Sequence, residues 1–288
     1  IDVSAATFTG LVEGDDVTVS ATGVFSDKDV DTNKTVTLTE TNGGDDVGNY
    51  TITAQGTTTA DITQKDLTVS GITASNKVYD STTSATVDDG SVVFTGLVEG
   101  DDLTISTTGV FNNEHVGTQT VTLTETMGGS DLGNYNITAQ GTTTADITAK
   151  AITISGITAS NKVYDSTTSA TLDVDSIAGF IAGDDVSISA ITGTFADEHV
   201  DTDIAVSFSN ITYAGSDKDN YTITDQAGTT ADITQKDLTV SGITASNKVY
   251  DSTTSATVDD GSVVFTGLVE GDDLTISTTG VFNNEHVG

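Results

Sequence analysis

The sequence predicts an all-β chain: tandem immunoglobulin-like β-sandwich repeats of about 85 residues, forming a rod. Three observations carry this. The stretch SGITASNKVYDSTTSAT at residues 70–86 returns letter for letter at 155–171 and at 241–257. Its tyrosines, Tyr79, Tyr164 and Tyr250, stand 85 and 86 residues apart. A fixed period of this size makes a small domain the unit of folding. Aliphatic residues also alternate with Thr or Ser in short runs, the pattern of half-buried strands. Between the runs sit Gly-Asp-Asp, Asn-Asn, Gly-Gly and Asp-Gly, which are turn signals.

The period divides the chain in order. Residues 1–64 form an incomplete repeat whose start is missing. Within it FTGLVEGDD at 8–16 matches 94–102 at an offset of 86, and after Lys34 the offset falls to 85, an insertion of one residue. Residues 65–149 form the first complete repeat and 150–235 the second, the most divergent. Residues 236–288 begin another repeat and stop at Gly288. Residues 58–117 are identical to residues 229–288. Such identity points to recent duplication and to a parent chain with more copies, of which this is a window.

The strand pattern is clearest in Leu67-Thr-Val-Ser-Gly-Ile-Thr73, Leu103-Thr-Ile-Ser106 and Val121-Thr-Leu-Thr-Glu125. It recurs in Tyr135-Asn-Ile-Thr138 and Ala145-Asp-Ile-Thr148. Thr suits the exposed face of a pleated sheet. About seven short strands per repeat argue for a two-sheet sandwich. One repeat passes into the next through Gln64, Lys65 and Asp66, a link too short to behave as a coil. Consecutive repeats are therefore expected end to end in a fixed relation.

Composition limits the partners. Hydrophobic residues are 35% of the chain, so each repeat has a thin core. There are 43 acidic residues against 9 basic ones, with no arginine among them, for a formal charge of -34. Nucleic acid is not an expected partner, because phosphate binding needs a basic footprint. The acidity fits either solubility and mutual repulsion or binding of divalent cations. Cysteine is absent, which excludes disulfides and thiol chemistry. No apolar run is long enough to cross a membrane, and no membrane insertion is expected in this segment. Proline is absent too, so Gly, Asn and Asp must supply the turns.

Several recurring groups are candidates for a role. Tyr50, Tyr135 and Tyr221 each follow an Asp and a turn and open a strand, as in Asp131-Leu-Gly-Asn-Tyr135. This resembles the tyrosine corner of immunoglobulin-like sandwiches and is read as structural. Tyr79, Tyr164 and Tyr250 are read as structural as well. The lysine two residues before each (Lys77, Lys162, Lys248) is expected on an edge strand, where it discourages pairing with other chains. A second reading is a Lys–Asn isopeptide bond with an electrophile such as Asn134, which needs a neutral, buried Lys beside a carboxylic acid.

The acidic pairs Asp15 and Asp16, Asp101 and Asp102, Asp184 and Asp185, and Asp272 and Asp273 each follow a glycine. They are either Ca²⁺ ligands, since loop carboxylates supply the hard oxygens that Ca²⁺ wants, or solvated turns. Glu13, Glu99 and Glu270 precede three of the pairs, and Ala182 stands in the fourth. No EF-hand spacing and no nonapeptide repeat accompanies them. His115, His199 and His286 share one equivalent place, where the first repeat has Asp29, and no second His lies near any of them. No catalytic triad, P-loop or distinct carboxylate pair stands out, so no enzyme is expected. Asn-x-Thr matches at Asn33, Asn49, Asn210 and Asn220 are discounted in so Thr-rich a chain.

With these residues in view, the repeat resembles the YDG and MBG repeats of large bacterial surface proteins and haemagglutinin-like adhesins. The resemblance rests on Lys77-Val-Tyr-Asp-Ser-Thr-Thr83, Gly96-Leu-Val-Glu-Gly-Asp101 and Leu132-Gly-Asn-Tyr135, with their copies. It covers essentially the whole chain. Ser81, Ser166 and Ser252 depart from the family's Gly, and Gln64 and Ala149 from its junction proline. The resemblance implies a β-sandwich stalk module on a bacterial exterior, with neighbouring repeats as partners and no enzymatic activity. An alternative is a self-assembling biofilm-matrix filament, copies of the chain joining by strand addition, with or without Ca²⁺. A third, from the Thr-rich strands, is a carbohydrate- or ice-binding module.

Overall fold

A computed structural model describes residues 1–286; the end at Gly288 lies outside the described residues. Two bodies are resolved, Ile1–Thr148 and the part from Ala149 onward, each holding two repeats. The described residues form strands and three single 3₁₀ turns, with no α-helix.

In the first body the second repeat shows the design. The opening strand Lys65–Ser70 lies in the middle of a three-stranded sheet. It runs parallel to Tyr135–Thr138 and antiparallel to Val93–Thr95. A five-stranded sheet takes the order Lys77–Val78, Thr142–Thr148, Gly117–Gly128, Thr104–Phe111, Ser84–Ala85. Lys77–Val78 pairs parallel to Thr142–Thr148. The N-terminal segment thus leaves one sheet and joins the other, tying the two layers. Between them a ribbon forms from Thr73–Ala74 and Val87–Asp88.

Alternation explains which faces are buried. Leu67 and Val69 of the opening strand, Val121 and Leu123, and Ala145 and Ile147 point inward, while Thr68 and Thr122 between them face solvent and Asp146 is half-buried. The all-β tandem sandwich expected from the pattern is what forms. The repeat holds ten strands rather than about seven, because residues 73–95 break into five pieces of two or three residues. Gly109 lies where the ribbon presses on the sheet: a Cβ there would come within 2.5 Å of Val87 Cγ2.

The third repeat, in the other body, repeats this plan. Its five-stranded sheet runs Lys162–Val163, Gly228–Thr234, Asp201–Ala214, Ser187–Phe195, Ser169–Ala170. Lys150–Thr153 pairs parallel to Tyr221–Thr224. Phe195, Ile204, Val206, Ala231 and Ile233 form its core, covered by Ala159 and Leu172 of the ribbon among others. The first repeat keeps a three-stranded sheet of Thr18–Phe25, Asp31–Gly43 and Thr57–Ile62. The fourth consists of three two-stranded pairs.

The one-residue insertion is a β-bulge. Pairing of Asp31–Gly43 with Thr57–Ile62 shifts register between Asp31 and Lys34, with Asn33 at φ 54°. The third repeat has the same bulge between Asp201 and Ile204, with Asp203 at φ 53°. The second repeat pairs Gly117–Gly128 to Thr142–Thr148 without a shift. An extra residue in one strand must leave the ladder, and the left-handed backbone at Asn33 and Asp203 takes it out. Asp61 and Asp232 then accept the freed Asn33 and Asp203 N–H groups, at 2.7 and 2.9 Å.

Candidate functional site

The candidate corner tyrosines and three of the acidic pairs meet; Tyr135 and Tyr221 open strands as expected, whereas Tyr50 lies outside any strand, the first repeat having no counterpart of Tyr135–Thr138 as a strand. The Tyr135 hydroxyl donates to Asp101 Oδ2 at 2.6 Å and accepts the Val98 N–H at 3.0 Å. Tyr50 does the same with Asp15 at 2.5 Å and Val12 at 3.0 Å, and Tyr221 with Asp184 at 2.5 Å and Ile181 at 3.0 Å. As in a tyrosine corner, the hydroxyl bonds to backbone. The backbone is that of the Gly-Asp-Asp loop, more than thirty residues upstream, and not that of the adjoining turn.

The second Asp of these three pairs closes the other side. Asp102 N–H donates to Asp131 Oδ2 at 2.9 Å, while Asp102 Oδ2 accepts the Ser130 N–H at 3.2 Å. Asp16 with Asp46, and Asp185 with Asp217, repeat the first of these bonds, each at 2.9 Å. The result is a clasp of four groups: two loop aspartates, the Asp of the 3₁₀ turn and the Tyr after it. The Tyr135 hydroxyl is held protonated by burial and by Asp101, and that of Tyr50 chiefly by Asp15. Asp101 titrates below the usual carboxylate range because Tyr135, and then Lys28, bond to it.

The clasp also receives the preceding repeat. In the first body Lys28 Nζ donates to Asp101 Oδ1 at 2.9 Å and to Asp131 Oδ1 at 2.7 Å. Beside it Val30 N–H donates to Asn134 Oδ1 at 2.8 Å, and Gln64 Nε2 to the Gly133 carbonyl at 3.1 Å. Asp131 is depressed by the Asp102 N–H and by Lys28, and the Lys28 ammonium is correspondingly raised by Asp131 and Asp101. In the other body the Tyr164 hydroxyl of the third repeat donates to Asp272 Oδ1 of the fourth at 2.9 Å. Asp273 follows Asp272 in the same loop.

Of the other candidates, Tyr164 reaches the loop of the next repeat and Asn134 borders the clasp; the rest lie apart from it. Tyr79 is buried at 1% exposure and Tyr250 is 58% exposed; Tyr79 and Tyr164 prolong the parallel pairing through N–H bonds to Thr148 and Thr234. Lys77–Val78 is the outer strand of its sheet, but the ammonium turns inward. It bonds Asp80 Oδ1 at 2.6 Å and the Thr82 carbonyl at 2.8 Å, and lies over the Phe111 ring. Lys162 and Lys248 do likewise. Asn134 is engaged with the first repeat and not with Lys77. His199 is 75% exposed at its side chain. Among the described residues no group of three or more His, Asp or Glu is placed to hold a metal ion.

One group carried no signal in the sequence reading. Gln140 lies across the opening segment: its Oε1 accepts the Ile72 N–H at 2.9 Å and its Nε2 donates to the Ile72 carbonyl at 2.7 Å. Gln226 holds Ile157 in the same way at 3.0 and 2.8 Å. The available clue was a Gln recurring in step at 55, 140 and 226.

Fold and clasp together define a tandem all-β repeat protein in which, within each body, one repeat meets the next through the same recurring loop. The family follows from comparison. A family model described as YDG domain matches residues 1–60, 63–145, 148–230 and 234–288. The chain belongs to the YDG domain family, as four successive domains. Neither a curated protein nor a solved structure matches it.

Proposed function

We propose that this chain is a mechanical spacer, the stalk of an adhesin or other fibrous protein on a bacterial exterior, without catalytic activity of its own. One observation carries the reading: in each body a loop or tyrosine of one repeat is anchored on the Gly-Asp-Asp loop of the next. A repeat bonded to its neighbour by side chains, through a link without free coil, transmits force and keeps distance. The charge of -34 adds self-repulsion, which favours extension over collapse.

Electron microscopy of the purified chain tests this. Separate particles of one constant length are expected, unchanged by dilution. Compact particles, or filaments of indefinite length, overturn the spacer reading; the second outcome moves the function to self-assembly.

A further inference from the structure

We infer that Lys28, three places after the Phe ending the first long strand, locks the first repeat to the second. It makes this junction an ionic lock, which Glu198, at the same place before the fourth repeat, does not. The proposal deepens the spacer reading but rests on junction geometry alone.

The clasp divides its oxygens. Oδ2 of Asp101 takes the Tyr135 hydroxyl and Oδ2 of Asp131 takes the Asp102 N–H. The Oδ1 of each is turned to the preceding repeat, and both are filled by one ammonium, Lys28. The two carboxylates are only 11% and 13% exposed, whereas Lys28 is 66% exposed. The Oδ2 bonds that orient the two carboxylates of this socket are made within the second repeat, and the lysine comes from the first. In the fourth repeat Asp272 again offers Oδ1 to the preceding repeat, and a neutral tyrosine hydroxyl fills it.

Lys28 follows Phe25 by three residues, and the same place after Phe111, Phe195 and Phe282 holds Glu114, Glu198 and Glu285. A carboxylate cannot donate to this socket and would face like charge. The charge of Glu198 already bears on Tyr164, helping Asp272 to keep that hydroxyl protonated. The socket therefore takes a donor from a preceding YDG domain, and a lysine in the loop gives a junction that salt weakens.

Pulsed dipolar spectroscopy on the full chain tests the proposal. The chain has no cysteine, so paired Cys substitutions take spin labels at chosen sites only. Exposed Thr39 and Thr124 report the first junction. At 0.1 M salt this pair is expected to give a narrow distance distribution. Lys28→Glu broadens it while melting of the chain is retained, and Lys28→Arg keeps it narrow. Raising salt to 1 M, where screening acts over about 3 Å rather than about 10 Å, broadens the parent too. The proposal fails if Lys28→Glu leaves the distribution unchanged, or if Lys28→Arg broadens it as much as Lys28→Glu does. Particle lengths by microscopy can fail separately from either result.

Discussion

Gln226→Ala should loosen the opening segment of the third repeat while leaving its sheets in place. Ile157 is 1% exposed, so water does not reach its backbone. Its N–H and its carbonyl both bond the Gln226 amide, at 3.0 and 2.8 Å. Truncation strips both of their partner, and a buried polar group left unpaired costs about 1–3 kcal/mol. Two such groups, partly relieved by relaxation, put the loss at about 3 kcal/mol. At about 1.4 kcal/mol per factor of ten, local opening becomes roughly a hundred times more frequent. Amide exchange read by mass spectrometry measures this directly. Peptides within residues 149–160 serve, because AKAITISGITAS occurs once in the chain. Gln55→Ala is the control: the Gln55 side chain donates only to the Thr57 carbonyl, at 2.8 Å, and its loss should stay near 1 kcal/mol. Exchange at 149–160 within about threefold of the parent in Gln226→Ala, below 1 kcal/mol on the same scale, would refute the reasoning.

Ser166 has φ 61°, as does Ser81, the place where the family carries Gly. Ser166→Val, branched at a left-handed position, should lower the melting temperature of its repeat by roughly 4–8 °C for each 1 kcal/mol of added strain; Ser166→Gly should not lower it, and equal melting of the two would sink the strain account. Asp251 is held at about 2 by Lys248 and then Thr253, and Asp101 and Asp131 are lowered as well. Their folded values lie below an unfolded value of about 3.9, so their contribution is present above pH 4 and is lost as pH falls toward 2. Melting temperature followed from pH 6 to 2 should decline from about pH 4, and a flat curve would contradict it. Excess Ca²⁺ against excess chelator should leave melting unchanged, because both aspartates of the Asp101 and Asp102 pair already accept bonds inside the clasp; a rise with Ca²⁺ would show that the carboxylates rearrange to bind it.

How much was legible follows from the range of each interaction. Alternation found Leu67 with Val69 and Val121 with Leu123, because a half-buried strand writes its burial into neighbouring residues. The two-residue strands at Thr73–Ala74 and Val87–Asp88 are too short to hold a period. The parallel partner of Lys65–Ser70 lies seventy residues away at Tyr135–Thr138, and nothing local names it. The clasp was visible only in halves. The sequence marks Tyr135 as a corner and Asp101 as a turn or a ligand, but their bond joins residues 34 apart, and no local pattern links them. The inward turn of Lys77 was hidden for the same reason, since its position on an edge strand is a matter of sequence but Phe111 is not its neighbour in the chain.

Residues 58–117 and 229–288 supply an internal control, being identical in sequence. Leu67, Val69 and Ile72 are 1–2% exposed, while their counterparts Leu238, Val240 and Ile243 are 38–41% exposed. Local propensity and hydrophobic pattern are the same in both, so neither sets the burial. What differs is the company, because the sequence stops at Gly288, before the fourth repeat's counterparts of Tyr135–Thr138 and Gln140. In the second repeat Tyr135–Thr138 lies beside the opening strand and Gln140 clips Ile72, whereas residues 239–241 pair only with 264–266. The core of a repeat is therefore made by bringing together segments about seventy residues apart, and the whole repeat is the unit that must fold at once. Contacts of such long range make folding slow. A junction that grips a preformed clasp then has something rigid to hold, because Tyr135 both opens the strand that completes the core and donates to the socket aspartate.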